Sequence, residues 1–195
     1  LPLLAEWCQM CILAHPFWSL LQFADVLLIE GYIGVEVYNT TCEYGQGRGP
    51  SEMMWDILLA EGRQVWGLAV DDIHFKHDAM HGWVMLKAED NSPPAIYTAL
   101  REGQFYSSNG PEIHNLQIEG DQVQVECSPC REVAIIAAAP GQGCTSRRLE
   151  IDPPIEHICL PLPTTTIPVR LECIDEAGRK AWSNPFFPAD NPPRH

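Results

Sequence analysis

The hydrophobic period of this chain changes once, near residue 107, and that change restricts the fold more than any other feature. Before it, short apolar runs alternate with segments of helical spacing. The run Cys11 to Ala14 ends at His15-Pro16; it is too short for a helix and proline stops it, so it reads as a buried strand. From Ser19 to Leu28, the residues Leu20, Phe23, Ala24, Leu27 and Leu28 share one helical side. GVEVYN (34–39) alternates and is β-branched, which predicts a strand. TTCEYGQGRGP reads as a glycine-rich loop. Ser51 is placed to N-cap a helix over Met53 to Gly62, closed by its glycine, and VWGLAV (65–70) is a further strand. This order predicts an α/β unit with a parallel sheet or barrel. SPPAIYTALREGQF adds one more helix.

After Tyr106 the segments IHNLQIEG, DQVQVECSP, EVAIIAAAP and TTIPVRLECID follow one another with turn signals between them. Strands at roughly ten-residue spacing predict a small antiparallel β-sandwich. The expected organisation is therefore an α/β unit over 1–106, a β-sandwich over 107–187, and a proline-rich tail over 188–195 that frays.

Composition narrows the partners. The net charge is -14 with no basic run, which argues against nucleic acid or an anionic membrane surface. No stretch of 18 or more apolar residues occurs, so nothing is expected to span a bilayer. The opening LPLLAEWCQMCILAHPFW lacks a charged leader and does not read as a signal peptide; a chain starting at Leu1 is expected to be truncated. Of eight cysteines, Cys8 with Cys11 and Cys127 with Cys130 are spaced C-x-x-C, but more than a hundred residues separate the pairs. A zinc ribbon separates them by roughly 15–20. The cysteines read as core thiols in a reducing, cytoplasmic compartment, with CSPC as a strand ending in a turn at Pro129; a structural zinc or redox role of the cysteine pairs is the weaker alternative.

The candidate chemistry is positional. His15 ends one predicted strand, and Asp72 and His74 end another. In parallel α/β folds, sites form at that edge. A D-x-H pair points two ligands to one side, and carboxylate plus imidazole suits Zn, Mn or Fe. Asn39 ends a strand, where it serves a turn or touches substrate, and Arg48 in GQGRG matches the geometry of an anionic phosphate group. Glu36 reads as structural, or as facing a barrel interior near the site; Asp71 either hydrogen-bonds behind the ligand pair or does nothing there; His77 and His81, spaced i, i+4, read as loop residues that could chelate metal only if helical. Trp55, Trp66 and Trp83 read as core, while Ser19 and Ser51 have no recognisable base partner.

The wording LAHP, GVEVYN, SEMMWDILLAEG, VWGLAVDDIHF, GWVMLKAED, ALREGQFYSSNGPEI and AWSNP closely resembles the later half of metallohydrolases of the PHP (polymerase and histidinol phosphatase) superfamily, CehA/McbA type. The resemblance runs from about residue 12 to 187. It implies part of a distorted (β/α)7 barrel, followed here by the sandwich, with two or three divalent metal ions at the strand C-terminal ends. The later elements of the family pattern match His15, Asp72 and His74. The earlier H-x-H has no counterpart among the seven histidines, so about half of the barrel and much of the metal cage are expected to be missing.

The implied activity is that of a metal-dependent hydrolase, with a metal-activated hydroxide attacking a small-molecule phosphate ester. The chain alone is expected to be nearly inactive. The alternative is a non-catalytic module, derived from such a protein, that binds a ligand or partner through its sandwich.

Overall fold

A computed structural model describes residues 8–138 and 141–188. The tail from 189 and the first seven residues of the apolar opening lie outside the described residues. Three strands, β1 (Ile12–Leu13), β2 (Gly34–Asn39) and β3 (Trp66–Val70), form a parallel sheet in the order β1-β2-β3. Helices α1 (Phe23–Leu28), α2 (Thr40–Gln46) and α3 (Glu52–Ala60) lie on the connections between them. Val35 and Val37 of β2 are fully buried with Trp55, Leu58 and Leu59 of α3 in one core. Trp55 sits so close to β3 that a Cβ at Gly67 would lie 2.6 Å from its ring, and its indole N–H donates to the Val65 carbonyl at 2.9 Å.

The expected portion of a (β/α)7 barrel is not what the chain builds. Beyond β3 the parallel sheet does not continue. The chain instead enters a six-stranded sheet of β4 (Trp83–Leu86), β5 (Phe105–Ser108), β8 (Glu132–Ala137), β9 (Cys144–Arg147), β11 (Val169–Ile174) and β12 (Lys180–Ser183), ordered β4-β5-β12-β11-β8-β9 with antiparallel pairs throughout. Strands outnumber helices, and no sheet closes into a barrel among the described residues. The physical reason lies in long-range side chains. Ser107 of β5 accepts from Ala69 N at 2.9 Å and donates to the Gly67 carbonyl at 2.7 Å, so side-chain bonds occupy β3 where a parallel neighbour would pair. Asn184 completes the seam, accepting from Gly67 N and donating to the carbonyls of Gly103 and Phe105. β4 then pairs with β5, with the helix α4 (Pro93–Arg101) between them in sequence, so one sheet crosses the boundary expected near residue 107.

The third sheet is β10-β7-β6, from β6 (Ile113–Glu119), β7 (Gln122–Cys130) and β10 (Ile155–Pro161). Its inner residues Val123, Val125, Cys127 and Leu160 share a core with Val133, Ile135, Leu171 and Cys173 of the six-stranded sheet. A buried ion network fastens α3 to that sheet. Arg170 lies over the Trp55 ring, 5.0 Å from its centroid, and pairs with Asp56 and Glu172, each at 3.0 Å. Lys180 joins Glu172 to Glu52 of α3.

Candidate functional site

The C-terminal edge of the parallel sheet is organised around Asn39, which is fully buried. Its side-chain oxygen accepts from Cys42 N at 2.9 Å, which N-caps α2. The segment expected to be a glycine-rich loop is therefore a helix as far as Gln46, ended by Gly47 at φ 64°. The amide nitrogen of Asn39 donates to two carboxylates, Glu36 at 3.0 Å and Asp72 at 3.1 Å. Both ends of the Asn39 amide are thereby engaged within the chain.

Glu36 reaches this point because β2 is irregular. The register against β3 shifts between Glu36 and Tyr38, and such a bulge re-aims a side chain. Its carboxylate also accepts the backbone N–H of His15 at 2.8 Å, which ties β1 to the same cluster. The sequence offers Glu36 as a carboxylate inside an apolar strand, and the bulge brings it to Asn39. The two carboxylates make the local potential negative. Burial first, and then Asp72 and Glu36, push the nearby Cys42 thiol up to about 11.

His15 and Asp72 are two of the four non-glycine residues with positive φ among the described residues, at 26° and 52°. Each such residue costs about 1–3 kcal/mol unless its surroundings impose it, and such strain concentrates at functional sites. His15 is doubly constrained, because Pro16 disfavours compact backbone at the preceding position. Both imidazoles are held through Nδ1. His15 Nδ1 lies 2.9 Å from Ser19 Oγ, and His74 Nδ1 lies 2.7 Å from the Asp72 carbonyl, so the latter donates its N–H. A hydrogen bond at one ring nitrogen fixes the ring orientation, as it does in metal-binding imidazoles.

Asp71 and Asp78 build the loop that carries His74. Burial alone would raise the Asp71 carboxyl. Backbone N–H groups of His81, Met80 and Gly82, with the Thr40 hydroxyl, outweigh burial and hold it below the usual carboxylate range. Asp78 is buried and accepts from the backbone N–H groups of His74 and Phe75. Thr41 donates to the Asp72 carbonyl at 2.6 Å, fixing the loop to α2.

Asp72 and His74 approach each other, Oδ1 to Nδ1 at 3.8 Å, while His15 stands beyond Glu36 at the end of β1. The donor atoms of His15, Asp72 and His74 do not form a group all within 4.8 Å; among the described residues only Cys127, Cys130 and Cys173 do. No three of His15, Glu36, Asp72 and His74 bring their donor atoms within 4.8 Å of one another, so the edge forms no closed cage. Arg48 is half-buried at its rim, 5.9 Å from the Phe17 ring centroid. His77 stacks on Phe75 and His81 meets Tyr44 edge-on, each through an exposed aromatic neighbour.

Comparison with protein-family models, with curated proteins and with solved structures finds no match. No helix among the described residues is long and apolar enough to cross a membrane.

Proposed function

We propose that the protein is a metal-dependent hydrolase acting on phosphate esters, with His15, Glu36, Asp72 and His74 as the donors for a divalent cation, Zn, Mn or Fe. The observation that carries this reading is the convergence of two carboxylates on one Asn39 nitrogen, flanked by two histidines whose Nδ1 atoms are held. A bound divalent cation supplies Lewis acidity and lowers the pKa of water. Asn39 holds the carboxylates apart from solvent-driven rearrangement, and Asp71 anchors the loop that presents His74. Arg48 at the rim orients a phosphate oxygen, since guanidinium matches its geometry. A cytoplasmic, reducing compartment keeps the eight thiols free.

Donors that form no closed cage bind one ion weakly, so turnover by this chain is slow. The test is hydrolysis of a generic aryl phosphate with added Mn(II), Zn(II) or Fe(II). Slow turnover that requires metal and disappears in His74→Ala and Asp72→Asn supports the reading. Turnover indifferent to metal or to both substitutions overturns it.

A second reading rests on a different observation. A groove of about 720 Å³, lined by Met85, Phe105, Tyr106, Leu116 and Phe186 among others, opens beside the antiparallel sheets. This suits a module that binds an apolar ligand without catalysis. Binding of a hydrophobic probe lost in Tyr106→Ala, with no metal-dependent turnover, would favour it.

A further inference from the structure

Cys127, Cys130 and Cys173 offer sulfur atoms that all lie within 4.8 Å of one another. They are 3%, 0% and 0% exposed, so the cluster is closed to solvent. We propose that these three cysteines hold a thiophilic d10 cation, Zn(II) or Cu(I), that clasps the two sheets together. The proposal does not depend on the sheet-edge site.

The first argument is backbone geometry. Cys127 and Cys130 are three apart, so a regular strand would send them to opposite faces. The burial of β7 alternates as far as Cys127 and then skips, with half-buried Ser128 and exposed Pro129 between two buried thiols. Opposite this stretch, Ile155 pairs with Cys130 and His157 with Glu126, so β7 carries extra residues against β10. A second irregularity falls at Ile113 to Asn115 of β6, where Ile113 pairs with Cys127. Both neighbours of β7 are thus out of register where the chain turns a second sulfur inward.

The second argument is placement. Cys173 belongs to β11, between β8 and β12, and pairs with Val133 and Ala181. It faces Cys127 and Cys130 from the other sheet, so an ion on all three links the sheets through their shared core. Buried cysteine also serves as a small core hydrophobe. That role alone does not account for three sulfurs meeting at a point where the strand must bulge to supply one.

The third argument is the donor set. Thiolates without carboxylate select soft ions such as Zn(II) or Cu(I). Binding displaces the thiol protons to solvent. With three thiolates, Zn(II) leaves one net negative charge and Cu(I) leaves two, so charge favours Zn(II) in a buried site. Three donors without a fourth favour Cu(I). The Ile155 carbonyl accepts from the Cys127 thiol at 3.5 Å, a bond that metal binding would replace.

The full chain is refolded anaerobically with one equivalent of Zn(II), Co(II) or Cu(I), then freed of loose metal and analysed for metal per chain. One ion per chain, with sulfur-to-cobalt charge-transfer absorption in the cobalt form, supports the site. Retention of Zn(II) against a carboxylate chelator, or of Cu(I) against a Cu(I)-specific chelator, assigns the ion. Cys130→Ala and Cys173→Ala should each retain less than a tenth of the metal, whereas Cys159→Ala should retain all of it. Should an alanine variant fail to fold, the cobalt spectrum of the wild type decides. Absence of charge-transfer absorption together with no retained Zn(II) or Cu(I), or equal metal content in the Cys130→Ala variant, overturns the proposal.

Discussion

Asn39 reaches Asp72 across the end of the parallel sheet, Nδ2 to Oδ2 at 3.1 Å, and so joins the last residue of β2 to the strained residue beyond β3. The contact couples helix capping to site geometry, because the other end of the same amide caps α2.

Asn39→Ala removes both functions. It should cost about 1–3 kcal/mol, from the lost cap and from carboxylates left without their shared donor. Divalent-metal affinity should fall by about 10–100-fold, as for other supports of ligands. Urea denaturation and a metal titration read the two effects. Unchanged affinity would show that Asn39 is structural only.

His15 gives a test of strain. At φ 26° a side chain is disfavoured, so His15→Gly should be more stable than His15→Ala by about 1 kcal/mol, the reverse of the usual order. Both variants should weaken metal binding alike, since both remove the imidazole. Equal stabilities would mean that the backbone relaxes at this position.

The loop bearing His74 should respond to acid through Asp71. Its carboxyl is depressed in the folded protein, so its contribution is present above the unfolded value, about 3.9, and is lost as pH falls through the folded value. Asp71→Asn should cost about 1–3 kcal/mol at neutral pH through imperfect replacement of three backbone hydrogen bonds. The cost should shrink toward zero in strong acid. A pH series of denaturation midpoints for both proteins checks the sign.

Arg170→Ala leaves Asp56 without its cation and buried Glu172 with Lys180 alone, and should cost about 3 kcal/mol, the low end for a broken buried pair. The loss should appear in the unfolding midpoint of the whole chain, because the pair fastens α3 to the six-stranded sheet. A cost confined to exchange of α3 amides would show that the helix unfolds separately.

Local features were legible in the sequence and non-local ones were not. β2 and β3 fall where alternation and β-branching place them, and α3 starts beside Ser51. Even so, the Ser51 hydroxyl accepts from Phe17 N rather than capping the helix. The α2 segment escaped because its helix depends on the Asn39 cap more than on apolar spacing. The barrel expectation failed because period reports element type, whereas neighbours are chosen by distant groups such as Ser107 and Asn184. The Cys127–Cys130 spacing was visible, but that both sulfurs face one core beside Cys173, and that Glu36 reaches Asn39, depends on bulges, and period-2 reasoning hides a bulge by assuming none.

The proposed catalytic cation is held at the sheet edge by Glu36, Asp72 and the two histidines. The most direct measurement is a Mn(II) titration of the chain followed by the electron paramagnetic resonance signal of free Mn(II). It is run in a Cys127→Ala background so that the buried thiols do not compete. The account predicts one weak site per chain whose affinity falls more than about tenfold in Asp72→Asn and again in His74→Ala. Binding of undiminished strength in both variants, or no binding at all in the parent, would contradict it.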